Sequence, residues 1–365
     1  MNRRLQFSHR SAAFSRRSGR GFTLIELMVA MLLGLIVIAG VSSVFLANMR
    51  SYHANTALGD VQSNARIAFE LMARDIRQAG LTGCNSRSGR VANVLNTGPY
   101  GPDYDSSNPD WWANWNNAVH GYEDGTPQDP AVDKGTAEGQ RVAGTDSLEV
   151  MGAVGSGLSV AESNNNGKTS AEFKLNKASE ELQDGDIIMV CDPDHTAIVQ
   201  VTSLKDSNVT VVHNTGSTVS PGNCSKGLGY PTPTGCGTGS ANGNPYLFGK
   251  NSSVFKMAMH DWYIGVNPAG GKSLYRIQAA YSASANAIAT TAQEMVRNVT
   301  NMQITYHQPG GASFVTADTS GINWGNVDAV RITYTLESAD QRAGTDLQPL
   351  KRTFTATTTI RNRVN

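Results

Sequence analysis

Charge is scarce in this 365-residue chain: Asp, Glu, Lys and Arg make up 16% of it, and 30 basic residues balance 30 acidic ones. The balance is uneven. Residues 1–21 hold Arg3, Arg4, Arg10, Arg16, Arg17 and Arg20 and no acid; without them 24 basic residues face 30 acidic ones, a formal charge of −6. That sign argues against nucleic acid as the main partner, because affinity there comes from neutralising phosphates. Cysteine is limited to Cys84, Cys191, Cys224 and Cys236, with no C-x-x-C pair, so metal-ligand spacing is missing. No G-x-S-x-G, phosphate loop or H-E-x-x-H occurs. Nothing calls for a metal or a cofactor, and an enzyme is not expected.

Glycine, by contrast, is abundant, at 37 residues, together with many Asn, Thr and Ser. This is the composition of a folded extracytoplasmic protein, and outside the cytoplasm an even cysteine count favours disulfides. Cys224 and Cys236 bracket a Gly/Pro-rich stretch that could not pack itself. Closing so short a loop constrains the unfolded chain by roughly 3 kcal/mol. Pairing Cys84 with Cys191 follows only by elimination, since four cysteines allow three connectivities.

Leu27–Ala47 is a run of 21 residues without a charge, enough to span roughly the 30 Å hydrocarbon core of a bilayer. The arginines ahead of it hold the N-terminus on the cytoplasmic side and place everything after Arg50 across the membrane. The run is too long for the apolar part of a secretory signal, and the residues behind it, Phe45 to Tyr52, make a poor cleavage site. A plain anchor fits the length but leaves Glu26 unexplained. An acid at the start of such a run costs about 2.5 kcal/mol or more unless it has a partner.

Arg20-Gly21-Phe22-Thr23-Leu24-Ile25-Glu26-Leu27-Met28-Val29 resembles the type IV prepilin signature. In that family a membrane peptidase, the prepilin peptidase, cuts after the glycine and methylates the new terminal amine. The resemblance implies a leader of residues 1–21, cleavage between Gly21 and Phe22, N-methylation of Phe22, and Glu26 as the fifth residue of the mature chain. The chemistry is coherent. Cleavage creates an α-amine with a reference pKa of about 7.7–8.0, cationic at neutral pH, and opposite charges attract far more strongly in a low-dielectric assembly than in water. Glu26 of one subunit can therefore meet the ammonium of Phe22 on the next and set the axial register.

The helix is expected to continue past the membrane. Leu58, Val61, Ala65, Ala68, Met72, Ile76 and Ala79 recur at spacings of three and four and define one apolar face, and Gly80 supplies a stop. A helix from Phe22 to Ala79 would be about 87 Å long. Residues 22–49 would cross the membrane or form a filament core, and 50–80 would be an amphipathic half lying on a head of residues 81–365. Gly34 and Gly40 each cost about 1 kcal/mol in a helix interior and mark close packing or local melting. Ser42 and Ser43 stand where major pilins commonly carry a proline.

Short β-like runs separated by Gly, Asn and Pro fill the head: 147–152, 186–191, 197–202, 209–213, 254–264, 274–279, 302–306, 327–336 and 353–360. Alternation such as Val330-Arg331-Ile332-Thr333-Tyr334 describes a sheet with one face covered and one wet. The expected fold class is α+β: a long N-terminal helix packed on a mainly antiparallel sheet, type IV pilin-like, with long loop insertions near 85–145 and 214–249.

Several head segments are similar to PilW-type minor pilins: Arg74-Asp75-Ile76-Arg77-Gln78-Ala79-Gly80 with Gly83-Cys84, Gly185-Asp186-Ile187-Ile188-Met189-Val190-Cys191-Asp192, Trp262-Tyr263-Ile264-Gly265 with Leu274-Tyr275-Arg276, and the closing Trp324, Val327–Ile332 and Ile360–Arg363. This implies work alongside other minor pilins and the major pilin, with the prepilin peptidase, the inner-membrane assembly platform and a tip adhesin as further partners. The implied setting is the inner membrane before assembly and a pilus used for adhesion or twitching motility afterwards. A head of roughly 280 residues would crowd a shaft if repeated thousands of times but is tolerable near a tip.

Other residue groups invite chemistry. Asp192, Pro193, Asp194 and His195 beside Cys191 gather polar ligand types in one turn, against which stands an ordinary hairpin turn. Asp103, Asp105, Asn108 and Asp110 could line a calcium loop, but the glycine and terminal glutamate of an EF-hand are out of place. Trp111, Trp112 and Trp115 could form a platform for a sugar or a partner protein, or anchor a long loop to the head. The rival functions are a large minor pseudopilin of a type II secretion system, a tip adhesin using those tryptophans, and DNA capture, which would need a basic patch.

Overall fold

The computed structural model describes residues 21–81, 84, 90–125, 128–163, 171–216, 218–237, 243–344, 346–361 and 363. The leader arginines, Gly83, Asn362 and parts of both insertions lie outside them. The chain forms two compact units, Met1–Asn55 and Thr56–Asn365. The unit boundary falls inside the helix rather than after residue 80, because the last turns of the helix are held by head contacts.

Leu, Met, Ala, Ile and Val dominate the first part of α1 (Leu24–Gln78). In a bilayer every backbone polar group must be satisfied within the segment, which a helix achieves. In the first unit every described residue except Gly34 and Ala54 is exposed. A Cβ added at Gly34 or Gly40 would meet nothing within 4 Å, so neither glycine is there to pack within this chain. By length and composition α1 is able to cross a membrane.

In the second unit α1 buries Ala57, Val61, Ala65, Ala68, Met72, Ala73 and Ile76, the expected stripe, with Ala57 more enclosed than the half-buried Leu58. Gly80 takes φ 67°, the left-handed conformation that ends helices at low cost. Its N–H donates to Met151 O at 2.9 Å, and Arg361 N–H returns from the C-terminus to Arg77 O at 3.4 Å, so the helix end is tied down at two points.

Fourteen strands follow among the described residues. They are β1 (Val91–Asn93), β2 (Val119–Tyr122), β3 (Ser147–Ser163), β4 (Glu172–Leu175), β5 (Ile187–Cys191), β6 (Thr196–Gln200) and β7 (Ser203–Lys205). Then come β8 (Thr210–Val212), β9 (Ser253–Val266), β10 (Lys272–Ser282), β11 (Ala287–Arg297), β12 (Val299–His307), β13 (Ala329–Glu337) and β14 (Lys351–Thr359). Eleven form one sheet and β12–β13–β14 a second. Strand β9 organises the first: β3 runs along one side, while β5 and then β10 occupy the other. Among the described residues every strand pairing except β1 with β6 is antiparallel, so the head is a mainly antiparallel sheet under a helix, the α+β class expected.

The helix stripe packs on Leu148, Trp262, Ile304, Tyr306, Ile332 and Tyr334, drawing both sheets into one core. Asp75 clasps the helix to β9: its Oδ2 accepts Trp262 Nε1–H at 3.0 Å and lies 2.9 Å from His260 Nδ1. Replacing Asp75 by Ala strands the indole N–H and removes a charged acceptor, an expected loss of about 3 kcal/mol. Thermal unfolding followed by circular dichroism measures it, and an unchanged midpoint would show that the clasp adds nothing.

One expectation needs correction. A covered face and a wet face describe β13, where exposed or half-buried residues alternate with buried ones. They do not describe β5 and β6, which are buried at every position, or β9 from Asp261 to Ile264. The region near 85–145 supplies the second cover: it is no free loop but adds β1 and β2 to the sheet and packs its tryptophans on the far side.

Candidate functional site

The N-terminal motif starts α1. Thr23 precedes the helix, and its Oγ1 accepts Glu26 N–H at 3.3 Å. Glu26 Oε2 in turn accepts the Thr23 N–H and hydroxyl, each at 3.1 Å. This reciprocal arrangement is a capping box, satisfying two otherwise orphaned donors. The spacing T-x-x-E was readable in the sequence, so the signal was present. An acid in the first turn also meets the positive end of the helix dipole. Glu26 therefore has work within its own chain beyond any partner's amine.

Phe22 is 86% exposed. A Cβ at Gly21 would meet nothing within 4 Å, and Gly21 has no left-handed φ. The fold itself does not demand glycine there. Gly21 and Phe22 lie immediately ahead of this capped helix.

The cysteines pair as Cys84–Cys191 and Cys224–Cys236, with Cα atoms 5.8 and 5.3 Å apart. The first joins the segment after α1 to β5. Its 107-residue separation gives it the larger effect on the unfolded chain, about 5 kcal/mol in the loop-entropy account.

Trp111, Trp112 and Trp115 lie in two short 3-10 turns and are 6%, 9% and 8% exposed. They pack with Met151, Met189, Met259 and Tyr263. Enclosed in that way they offer no open aromatic face, which corrects the platform reading: they anchor the segment to the sheet, as large apolar rings reward burial more than exposure.

The turn after Cys191 is built for its own backbone. Asp192 Oδ1 accepts the N–H groups of Asp194 and His195 at 2.9 and 2.8 Å. His195 stacks on Tyr246 and its Nε2 lies 2.7 Å from Leu228 O, and Asp194 pairs with Arg90. Asp105 likewise turns inward on Ser107, and Asp110 is half-buried, which pushes its carboxyl up. Among the described residues no group of His, Cys, Asp or Glu is placed to hold a metal.

Sequence reasoning missed a buried polar network. Glu149 on β3 and Asp261 on β9 stand directly opposite each other, 3% and 0% exposed. Beside them Asp129 accepts from Ser147 Oγ, and Arg141 Nη1 donates to that same Oγ at 2.7 Å and lies 3.8 Å from Asp129 Oδ2. Arg141 also donates to the carbonyls of Thr145 and Glu123, at 3.2 and 2.6 Å. Arg141 thus pairs with Asp129 alone of the three enclosed acids, while Glu149 Oε1 and both Asp261 oxygens have no hydrogen-bond partner among the described residues. Burial first, and then the neighbouring carboxylates, drives Glu149 and Asp261 well above the usual carboxylate range. Burial also takes Asp146 up to about 7. No local pattern announces this, since Asp261 arrives on β9 from far along the chain.

A model of the prokaryotic N-terminal methylation motif matches residues 16–42. No curated protein is a match for the chain. Motif, apolar helix and antiparallel head together define a type IV pilin-like protein. The motif supports a pilin-like or pseudopilin-like role in pilus or secretion assembly, and the helix and motif point to membrane anchoring.

Proposed function

We propose that this chain is a minor pilin of the PilW type that primes assembly of a type IV pilus and stays near its tip. The observation that carries the reading is the start Gly21-Phe22 ahead of a helix whose first turn holds Glu26, with a glycine the fold does not itself require. Four steps follow: insertion through α1, removal of residues 1–21 with methylation of Phe22, extraction of the helix from the bilayer, and packing of that helix among neighbouring pilin helices. The head favours a minor over a major subunit because its bulk, with insertions at 85–145 and 214–249, suits one or a few copies.

The second reading is a large minor pseudopilin of a type II secretion system, favoured by the same motif, which both classes need. Deleting the gene and counting surface pili, with secretion of folded exoproteins measured in parallel, separates the two. Loss of pili with normal secretion is the expected result; lost secretion with normal pili overturns it. Mass spectrometry of the native protein should find methylated Phe22 as the first residue, and a chain still beginning at Met1 would end both readings.

A further inference from the structure

The three-stranded sheet has two outer edges, and the chain treats them differently. Along β12 the edge is closed. Asp146 donates its backbone N–H to Met302 O at 2.9 Å and its carboxylate accepts Ile304 N–H at 2.7 Å. Tyr306 and Val315 exchange both backbone hydrogen bonds at 2.8 Å. Along β14, from Lys351 to Thr359, no described residue pairs with the outer edge.

The flanking bonds show which groups are left unpaired. Leu350 O accepts Ser338 N–H at 2.9 Å and Ile360 N–H donates to Asp328 O at 2.8 Å, so even-numbered residues turn their backbone toward β13. Backbone direction alternates along an antiparallel ladder, so Thr353, Thr355 and Thr357 present N–H and C=O outward.

Proteins usually blunt such an edge with proline, a bulge or an inward charge. Strand β14 has nine consecutive register partners without a shift and no proline. Strand β11, also paired on one side only, differs: Met295 is an extra residue between the partners of Leu274 and Tyr275, a bulge that spoils a template. The surroundings of β14 are basic. Lys351 and Arg352 open the strand, Arg361 follows it, and Arg331 lies on β13, whose Glu337 is engaged by Lys351 at 2.7 Å. Threonine fills most of the interval. A second copy of this edge would add like charge, whereas an acidic strand would neutralise it.

The geometry points to strand addition at β14: an acidic, proline-free extended segment of another protein pairs with the outward groups of Thr353, Thr355 and Thr357. This rests on the head alone and stands whether the assembly is a pilus or a secretion apparatus. Main-chain bonds would supply affinity and the flanking cations selectivity.

The test is fluorescence anisotropy with the full-length chain in detergent and a labelled nine-residue peptide of alternating Thr and Val with glutamates at both ends. Controls carry a central proline or lysine ends. Saturable binding of the acidic peptide is expected, weakened about tenfold or more by Thr355→Pro, which removes an outward N–H that no native bond uses. Arg352→Glu should reverse the preference toward the lysine-ended peptide, a readout that remains if the proline variant fails to fold. Hydrogen exchange should slow at Thr353, Thr355 and Thr357 only when the acidic peptide is added. Equal binding of the acidic and proline-containing peptides, or undiminished binding by folded Thr355→Pro, would overturn the proposal. So would protection of those amides with rising concentration of the chain alone, which would make a second copy the occupant.

Discussion

Glu26→Gln is expected to leave cleavage at Gly21 intact and to reduce incorporation into filaments by about tenfold or more, the equivalent of roughly 1.4 kcal/mol or more per contact. The choice of glutamine comes from the structure. Glu26 does two things: it caps its own helix through Thr23, and in the proposed assembly it neutralises the Phe22 ammonium of the next subunit. Alanine removes the charge and the carboxylate half of the capping box together and so confounds them, although Thr23 Oγ1 still accepts the backbone N–H of residue 26. Glutamine occupies the same place in a capping box but carries no charge. If the glutamine variant assembles as well as the parent while the alanine variant fails, the carboxylate matters as a cap, and the charge-pairing role is wrong. Immunoblots of membrane and sheared surface fractions, with the mature mass as the processing control, read both outcomes.

Arg141→Met is expected to destabilise the head by about 3–5 kcal/mol, since it strands the enclosed Asp129 without its cation. Guanidinium loss also leaves the Thr145 and Glu123 carbonyls without their donor. A pH dependence accompanies it. Glu149 and Asp261 have folded-state pKa values raised above their unfolded ones, so the folded chain keeps protons that the unfolded chain releases above about pH 4. That contribution is complete below about pH 4 and declines as pH rises toward the folded values, by at most about 1.4 kcal/mol per pH unit for each group. Asp146, raised to about 7, and His307, raised by its bond to Asp328, share that sign. His120 and His213, pushed down to about 4 by burial, act oppositely: their contribution is present above about pH 6.5 and lost as pH falls. Between pH 7 and 9 His120 and His213 are silent, while the raised acids and His307 act with one sign, so the thermal midpoint should fall across that window. Glu149→Gln combined with Asp261→Asn should flatten the decline. A midpoint constant from pH 7 to 9 in the parent would mean these carboxyls are ionised in the fold.

Legibility varied along the chain for identifiable reasons. The N-terminal motif and apolar run act over neighbouring residues, and the stripe Val61, Ala65, Ala68, Met72, Ile76 is set by helix geometry alone, so both appear in the structure with nearly the expected limits. Each of the nine expected strand runs lies in or overlaps an observed strand, such as 254–264 within Ser253–Val266. Strand β11 escaped notice because Ala287–Arg297 is exposed or half-buried at every position but Val296 and lacks alternation; its partner β10, not its own pattern, makes it a strand. Strands β1 and β2 are too short to show a period and exist because β6 and β3 accept them.

By itself the sequence determined that a helix able to cross a membrane begins behind a cleavable-looking glycine, carries an acid in its first turn, and is followed by a β-rich head. Those features depend on side chains within a few residues of one another. Tertiary structure alone decided that the tryptophans of 111–115 are buried, that Asp261 is enclosed opposite Glu149, and that among the described residues one edge of the last sheet is sealed while the other is open. Each of those outcomes depends on which distant segment arrives to exclude water or to complete a hydrogen bond, and no local pattern encodes that arrival.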